Sequence, residues 1–462
     1  MGNCSHMSTI GCVAGCRTGT STTAIPRFVQ SFGDMTESPS GEPGGLLRSG
    51  AWPDDVRRAG EERVLFVATV IDGGVEAVLE VLIRGLEERG VRCGVYAPQG
   101  SPGRVGTLCA LGGWIGSPAP VAARLARGEF TVVHATSACP TWPGLGSLLR
   151  WASLFAGTVV TAHVSTPTDV TEVRFDEYTA VSAEAAAALI TRTATSPQVI
   201  ANAPDVAVCT PGPGRAGPRP QLLWVGRAVD TDWPSKGIHG LLYLVAAGVL
   251  ADFEVVIIDI EDNAETLGLD DWLAGRVDYR PGLRSKAALV QCYRDVAAGG
   301  GALISTSRFE GHPMVMLEAM ASGCPVIVPD SPGFGMVTDG VTGLKYRRRE
   351  AFSDIPRCLR ELGDTRIRER IVAGALASVA GDGHPDRMVE AYLRVYRSLP
   401  PRSFGHRARG VLELARGLVW HRRSGGDLGF WTQPRGSSKR PIKLPERTRC
   451  VGQLLPTARR AR

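Results

Sequence analysis

Twice along this chain, apolar runs of strand length alternate with segments of helical spacing, and a stretch rich in Pro and Gly at 203–220 separates the two series. Arg63-Val-Leu-Phe-Val-Ala-Thr-Val is apolar without alternation, so a strand there has to be covered on both faces. After a turn at Ile71-Asp-Gly-Gly, apolar residues recur at 75, 78, 79, 82, 83 and 86, the spacing of one helix face. Further strands are expected at 93–97, 131–135, 158–163, 178–182 and 199–201, with helices over 119–127, 144–155 and 183–193. The second series opens at Leu222-Leu-Trp-Val-Gly-Arg. It runs through helix 238–249, strand 254–258, helix 264–274, strand 277–280, helix 285–296, strand 302–307, a helix after Pro313 and strand 325–329. Helices over 351–362, 366–380 and 385–398 close the body. Such alternation predicts an α/β protein of two doubly wound, Rossmann-like domains facing across a cleft. The boundaries read from it are 61–202, a linker at 203–220, 221–384 and a closing helix at 385–400.

The stretch Ser307 to Asp330 carries the chemistry. Glu310 and Glu318 sit eight positions apart, with Gly311-His312-Pro313 between them, and a Gly and the apolar run Pro325-Val-Ile-Val-Pro follow. This order reads as strand, loop, helix start, helix and strand. A helix start presents unbonded N–H groups and a partial positive charge, which suits a phosphate. One acid precedes that point and the other lies about a turn inside the helix, an arrangement that fits a diphosphate flanked by a sugar and a ribose. The bland alternative is an ordinary βαβ unit with two surface acids.

Glu-x7-Glu followed by Ala-Met-Ala-x-Gly-x-Pro-Val, here Glu310 to Val326, resembles the signature of the retaining, glycogen-synthase-like (group 1) glycosyltransferases of the GT-B fold. The resemblance covers 63–398 and is densest over 222–343. It implies a GT-B architecture and metal-independent sugar transfer from a nucleotide-sugar donor to a hydroxyl, with no cofactor beyond that donor. It implies that Glu310 lies beside the donor sugar and that Glu318 accepts the ribose hydroxyls. It also implies that Arg227 and Lys236 grip the diphosphate, and that the N–H groups of Met314 and Val315 meet its distal phosphate. His163, ending the strand Thr158-Val-Val-Thr-Ala-His, is implied to approach the sugar, and Gly73 and Gly74 to form the loop near the phosphates and acceptor. An Arg fork and a Lys point charge make a sensible pair for phosphate oxygens, and an ionised carboxylate suits a diol. Outside these roles, His134 reads as structural, Glu76 as a helix cap, and His312 is assigned none. Asp259-Ile-Glu-Asp262 could suggest a metal, although the resemblance implies no metal. Gly335 and Met336 stand where the family often carries an acid.

At 462 residues and 44% hydrophobic content, the chain can bury two or three domain cores. Its net charge of +6 is uneven: 401–462 hold fifteen Lys/Arg against three Asp/Glu, about +12, and the remainder is about −6. Residues 1–60, rich in Gly, Ser, Thr and Pro, are expected to be disordered or to arise from an upstream start codon. No run of 18 apolar residues exists, the N-terminus lacks a basic-then-apolar leader, and His6 breaks the myristoylation pattern. The eleven cysteines show no Cys-x-x-Cys and read as reduced thiols, several of them buried. Together these predict a cytoplasmic protein, with peripheral contact to the inner membrane face left open by the tail. There the residues from Phe404 to Val419 place apolar side chains on one helical arc, opposite Arg409, Glu413 and Arg416. That segment either packs back on the body or lies on anionic lipid. The partners expected are a nucleotide sugar and a glycan or lipid-linked acceptor in cell-surface glycan synthesis, without nucleic acid. The alternatives are a nucleotide-sugar epimerase or hydrolase on the same fold, and a non-catalytic binder of membrane or nucleic acid driven by the tail.

Overall fold

The computed structural model describes residues 62–412, except 69–72, 99–111, 137–144, 164–172, 194–195, 229–235, 261–262, 266, 268–272, 274, 284, 403–404, 407 and 411. The chain divides into a unit Met1–Arg57, outside the described residues, and a unit Arg58–Arg462. The extension expected over 1–60 and most of the tail therefore lie outside this description.

Among its described residues, the second unit holds two parallel sheets. The first has seven strands: β1 (Arg63–Val67), β2 (Arg92–Ala97), β3 (Gly113–Ile115), β4 (Val132–Ala135), β5 (Gly157–Ala162), β6 (Glu177–Ala180) and β7 (Gln198–Val199). They lie in the order β3-β2-β1-β4-β5-β6-β7. The second has six: β8 (Gln221–Gly226), β9 (Glu254–Asp259), β10 (Val277–Pro281), β11 (Ala302–Ile304), β12 (Val326–Pro329) and β13 (Leu344–Tyr346), in the order β10-β9-β8-β11-β12-β13. Strand order reverses beside β1, which pairs with both β2 and β4, and beside β8, which pairs with both β9 and β11. Ligands in open α/β sheets sit outside the carboxyl ends of the strands at such points.

Helices cover both faces, as the uninterrupted apolar strands require. Val64 and Phe66 of β1 pack with α1 (Gly73–Glu87), and Leu65 and Val67 face α2 (Ala119–Ala126) and α3 (Leu145–Ala152). A fourth helix, α4 (Ala183–Thr193), joins the same layer through Ala185 and Leu189. In the second sheet, Leu222 and Trp224 of β8 pack with α5 (Ile238–Ala246) and α8 (Ala351–Gly363). Leu223 and Val225 pack with α6 (Lys286–Ala298), α7 (Met314–Ala321) and α9 (Thr365–Ala380).

Helix α10 (Pro385–Ser398) does not finish the sheet that precedes it. Its Met388, Val389, Tyr392 and Tyr396 join the core of the first sheet against β1 and α1. Beyond it, Leu399 lies against Gly157, Arg402 pairs with Asp176 and donates to Ala156 O, and Trp151 Nε1 donates to Gly410 O at 3.2 Å. Of the expected amphipathic segment, Gly410 is buried beside Trp151 and Phe155, whereas Ala408 and Leu412 of the apolar arc are exposed, and the continuation past 412 lies outside the described residues.

One expected element differs. Within 264–274, the described residues Ala264, Glu265 and Leu267 lie in turns rather than in a helix. Asn263, just before them, is tied to Asp259 and Tyr279, and Leu267 and Leu273 are anchored in the core, while 266, 268–272 and 274 lie outside the described residues. Two strands are additional to the sequence reading, β3 and β13, each of three residues at a sheet edge. No described helix is long and apolar enough to cross a membrane. Cys93, Cys209, Cys324 and Cys358 are buried free thiols.

Candidate active site

The segment leaving β8 carries Arg227, which follows Gly226 directly. Its placement has a visible cause. Asp259, fully buried at the end of the neighbouring β9, accepts from the N–H of Ala228 at 3.0 Å, and from Asn263 Nδ2 and the Tyr279 hydroxyl at 2.8 Å each. The first acid of the Asp-x-Glu segment therefore organises the loop after β8. Glu261 and Asp262 lie outside the described residues, and the described residues hold no group of three or more His, Cys, Asp or Glu side chains suited to a metal ion.

Lys236 and Gly237 open α5, and a hydrogen-bonded chain fixes them. Trp224 Nε1 donates to Thr306 Oγ1 at 3.0 Å, and Thr306 Oγ1 donates to Lys236 O at 2.7 Å. Gly237 has φ +64°, and a Cβ there would lie 2.3 Å from Thr306 O, so only glycine satisfies both the backbone and the space. From this anchored point the Lys236 ammonium reaches Glu310 Oε1 at 2.5 Å, with side-chain exposures of 33% and 13%. Trp224 and Thr306 escaped the sequence reading because they bear no charge and lie far from Lys236 in the chain.

Glu310 stands on the loop between β11 and α7. Pro313 caps that helix in extended conformation, and its carbonyl receives the first helical bonds, from Met316 and Leu317. The N–H groups of Met314 and Val315 thus stand ahead of the ladder, at the positive end of the helix dipole. One turn further in, Glu318 is buried and paired with Lys286, the first residue of α6. Burial pushes the Glu318 carboxyl up, and Lys286 opposes that shift. Nothing in the sequence motif marked Lys286, which belongs to a different helix.

The first sheet brings its own residues to the same place. Gly73 and Gly74 begin α1, just after β1. A Cβ on Gly73 would stand 3.6 Å from an Arg227 guanidinium nitrogen, which measures how closely the two halves approach. His163 follows β5, and a Cβ on Gly311 would stand 1.9 Å from its carbonyl oxygen. The loop carrying Glu310 is therefore seated against the end of β5, and Asn202 Nδ2 donates to His312 O at 2.9 Å beside it. Burial lowers the pKa of both His163 and His312 to about 4, so both rings are neutral at neutral pH. His312 Nδ1 is buried and has no hydrogen-bond partner among the described residues.

His134 sits deeper, within β4. Its Nδ1 meets the Tyr396 hydroxyl at 2.8 Å and its Nε2 meets Thr161 Oγ1 at 2.6 Å, and burial lowers its pKa to about 3. Held on both ring nitrogens, it ties α10 to the sheet. Of the residues singled out from sequence, Arg227, Lys236, Glu310, Met314, Val315, His163, Gly73 and Gly74 converge at the mouths of the two sheets. Glu318 lies behind them, one helical turn inside the second domain.

Residues 219–361 match the family model described as Glycosyl transferases group 1. Solved structures share the fold over 73% of this chain. A glycosyltransferase from Rickettsia africae ESF-5 is covered over 98% of its length at 16% identity and TM-score 0.58. Anabaena HepE, solved in complex with UDP-glucose, is covered over 100% at 16% identity and TM-score 0.58. The lipopolysaccharide outer core galactosyltransferase WaaB, in its apo form, is covered over 100% at 16% identity and TM-score 0.52. No curated protein matches the sequence. The chain has the two-sheet GT-B fold of these glycosyltransferases, and over 219–361 it carries a domain of the group 1 glycosyl transferase type.

Proposed function

We propose that this chain is a retaining, metal-independent glycosyltransferase that moves a sugar from a nucleotide-sugar donor to a hydroxyl acceptor. The observation that carries the reading is the meeting of Arg227, Lys236, Glu310 and the start of α7 with Gly73 and His163 at one cleft. Sugar transfer needs groups that stabilise a departing diphosphate and an oxocarbenium-like ring, in a place closed to water. Arg227 and Lys236 bear on the diphosphate, and the N–H groups of Met314 and Val315 take its distal phosphate. The Lys236–Glu310 pair couples the two halves of the reaction, since a phosphate that draws on the ammonium loosens its hold on the carboxylate beside the sugar. Neutral His163 offers the sugar a hydrogen bond without adding charge. Glu318 receives the ribose. Two side-chain cations and a helix dipole supply the positive charge that a metal would otherwise bring, and the reaction calls for no cofactor.

The donor lies on the second domain and the acceptor on the first. A glycan or lipid-linked acceptor in cell-surface synthesis is supported by the likeness to a lipopolysaccharide galactosyltransferase, and a seat on the cytoplasmic membrane face by the basic tail. The test is a thermal-unfolding screen of UDP-, GDP-, ADP- and dTDP-sugars on the full chain, with chelator present. A donor at a hundred times its dissociation constant adds about 2.7 kcal/mol of stability. Turnover with the stabilising donor is then followed by NMR of the new linkage, where retention of the donor's anomeric configuration is expected. No stabilisation by any donor, or a product of inverted configuration, overturns the respective part of the proposal.

A further inference from the structure

Lys286 occupies the first position of α6, directly after the Ser285 cap, and its ammonium is bonded to Glu318 Oε1 on α7. The carboxylate side chain is only 3% exposed, against 29% for the lysine. An ionised carboxylate shut away from water is strongly disfavoured unless a cation and hydrogen bonds accompany it. The other groups facing Glu318 do not help it. Glu80 of α1 and Asp205 of the connecting segment are acids, and both push it toward protonation. Arg84 is engaged with Asp205 at 2.8 Å. Tyr293 on α6 and Cys209 are buried, and burial raises the pKa of both, that of Cys209 to about 12, so neither contributes a charge. The Tyr293 hydroxyl makes no hydrogen bond among the described residues. Lys286 is itself partly buried, which favours its neutral form, yet the pull of Glu318 prevails and keeps it charged.

Resting on the reading that Glu318 receives the donor ribose, we propose that Lys286 is a positioning residue for the nucleotide: by holding Oε1 it fixes the Glu318 carboxylate in its buried seat and leaves Oε2 to accept the ribose hydroxyls. A protonated Glu318 would present a donor where the diol needs an acceptor. Lys286 thus acts on the nucleotide only through Glu318, and its effect is greatest where that acid is easiest to protonate.

The experiment is calorimetric titration of UDP, GDP, ADP and dTDP into the full-length protein between pH 6.0 and 8.5. The proteins compared are wild type, Lys286→Met, Lys286→Arg, Glu318→Gln and the double variant Lys286→Met/Glu318→Gln. Affinities are read as ratios to wild type, so that the titration of the free phosphate cancels. Lys286→Met is expected to weaken binding of the preferred nucleotide at least tenfold at pH 6.0, with the deficit shrinking as pH rises and Glu318 ionises without help. Lys286→Arg should restore most of the affinity, and the double variant should be no weaker than Glu318→Gln alone. Lys286→Gln is read in the same way should the methionine variant fail to fold. A deficit that does not change with pH, or two single losses that simply add, overturns the positioning role while leaving the donor site intact. If none of the four nucleotides binds wild type, the donor-site reading falls, and the role of Lys286 with it.

Discussion

Gly311 brings the Glu310 loop against the end of β5, and its fit there depends on the absence of a side chain. A methyl group there would lie 1.9 Å from the His163 carbonyl oxygen, so Gly311→Ala has to push the Glu310 loop away from β5. Overpacking of this kind costs about 1–3 kcal/mol. A lower melting temperature together with reduced turnover is expected, and calorimetry beside a rate assay checks it. Glu310→Gln keeps the shape of the side chain and removes its charge, so turnover should collapse while nucleotide affinity changes little. Lys236→Ala should act differently. It removes a cation from the leaving diphosphate, with a loss of about 10²–10³ in kcat, and it also strips Glu310 of its partner at 2.5 Å. Steady-state kinetics of the two variants separate these effects, and a Glu310→Gln enzyme with normal turnover would remove Glu310 from the chemistry.

At the scale of the element, α10 stands out because it belongs in space to the sheet farthest from it in sequence. Tyr396→Phe leaves His134 Nδ1 buried without its partner, and such an orphan costs about 1–3 kcal/mol. A matching shift in the urea midpoint is expected, with kinetic constants close to wild type. The extent of α10 was legible, since its apolar spacing predicts 385–398 and the helix spans Pro385–Ser398. Its docking was not, because the residue it bonds lies 262 positions away and no local pattern encodes that pairing. The same limit governs the site. Glu310, Glu318 and the start of α7 share one short motif and could be read together. Lys286 and Thr306 act through residues 32 and 70 positions distant, and neither carries a local signature. Strands β3 and β13 were missed because three residues at an edge are too few for a period to register.

For the whole molecule, three histidines withdrawn from water, His134 buried and His163 and His312 half-buried, set the response to acid. His134, His163 and His312 have folded pKa values of about 3, 4 and 4 against 6.5 in the unfolded chain. The unfolded state therefore binds more protons below pH 6.5, and the stability present above that pH is lost as pH falls toward 4. Each histidine contributes up to about 1.4 kcal/mol per pH unit in that window. Thermal melts between pH 8 and 4.5 should fall steeply below 6.5, and a flat profile would contradict the neutral assignment. Buried Cys209 and Cys324, raised from 9 to about 12, act in the opposite direction, so stability is complete below pH 9 and lost above it. Truncation after residue 400 removes the Arg402–Asp176 pair and the contacts of Gly410 with Trp151 and Phe155, so the melting temperature should drop. Truncation after 412 should spare it while abolishing co-sedimentation with anionic vesicles at low salt. The placement of α10 also bears on how the chain is made. The cores flanking the second sheet draw almost wholly on residues between 206 and 379, so that domain can close as soon as those have left the ribosome. The first sheet is synthesised earlier yet cannot be sealed until Tyr392 and Tyr396 emerge. Maturation should therefore run against the order of translation, where domains made first usually fold first. A message broken before codon 385 would yield a half-finished protein whose oldest part is the part left open.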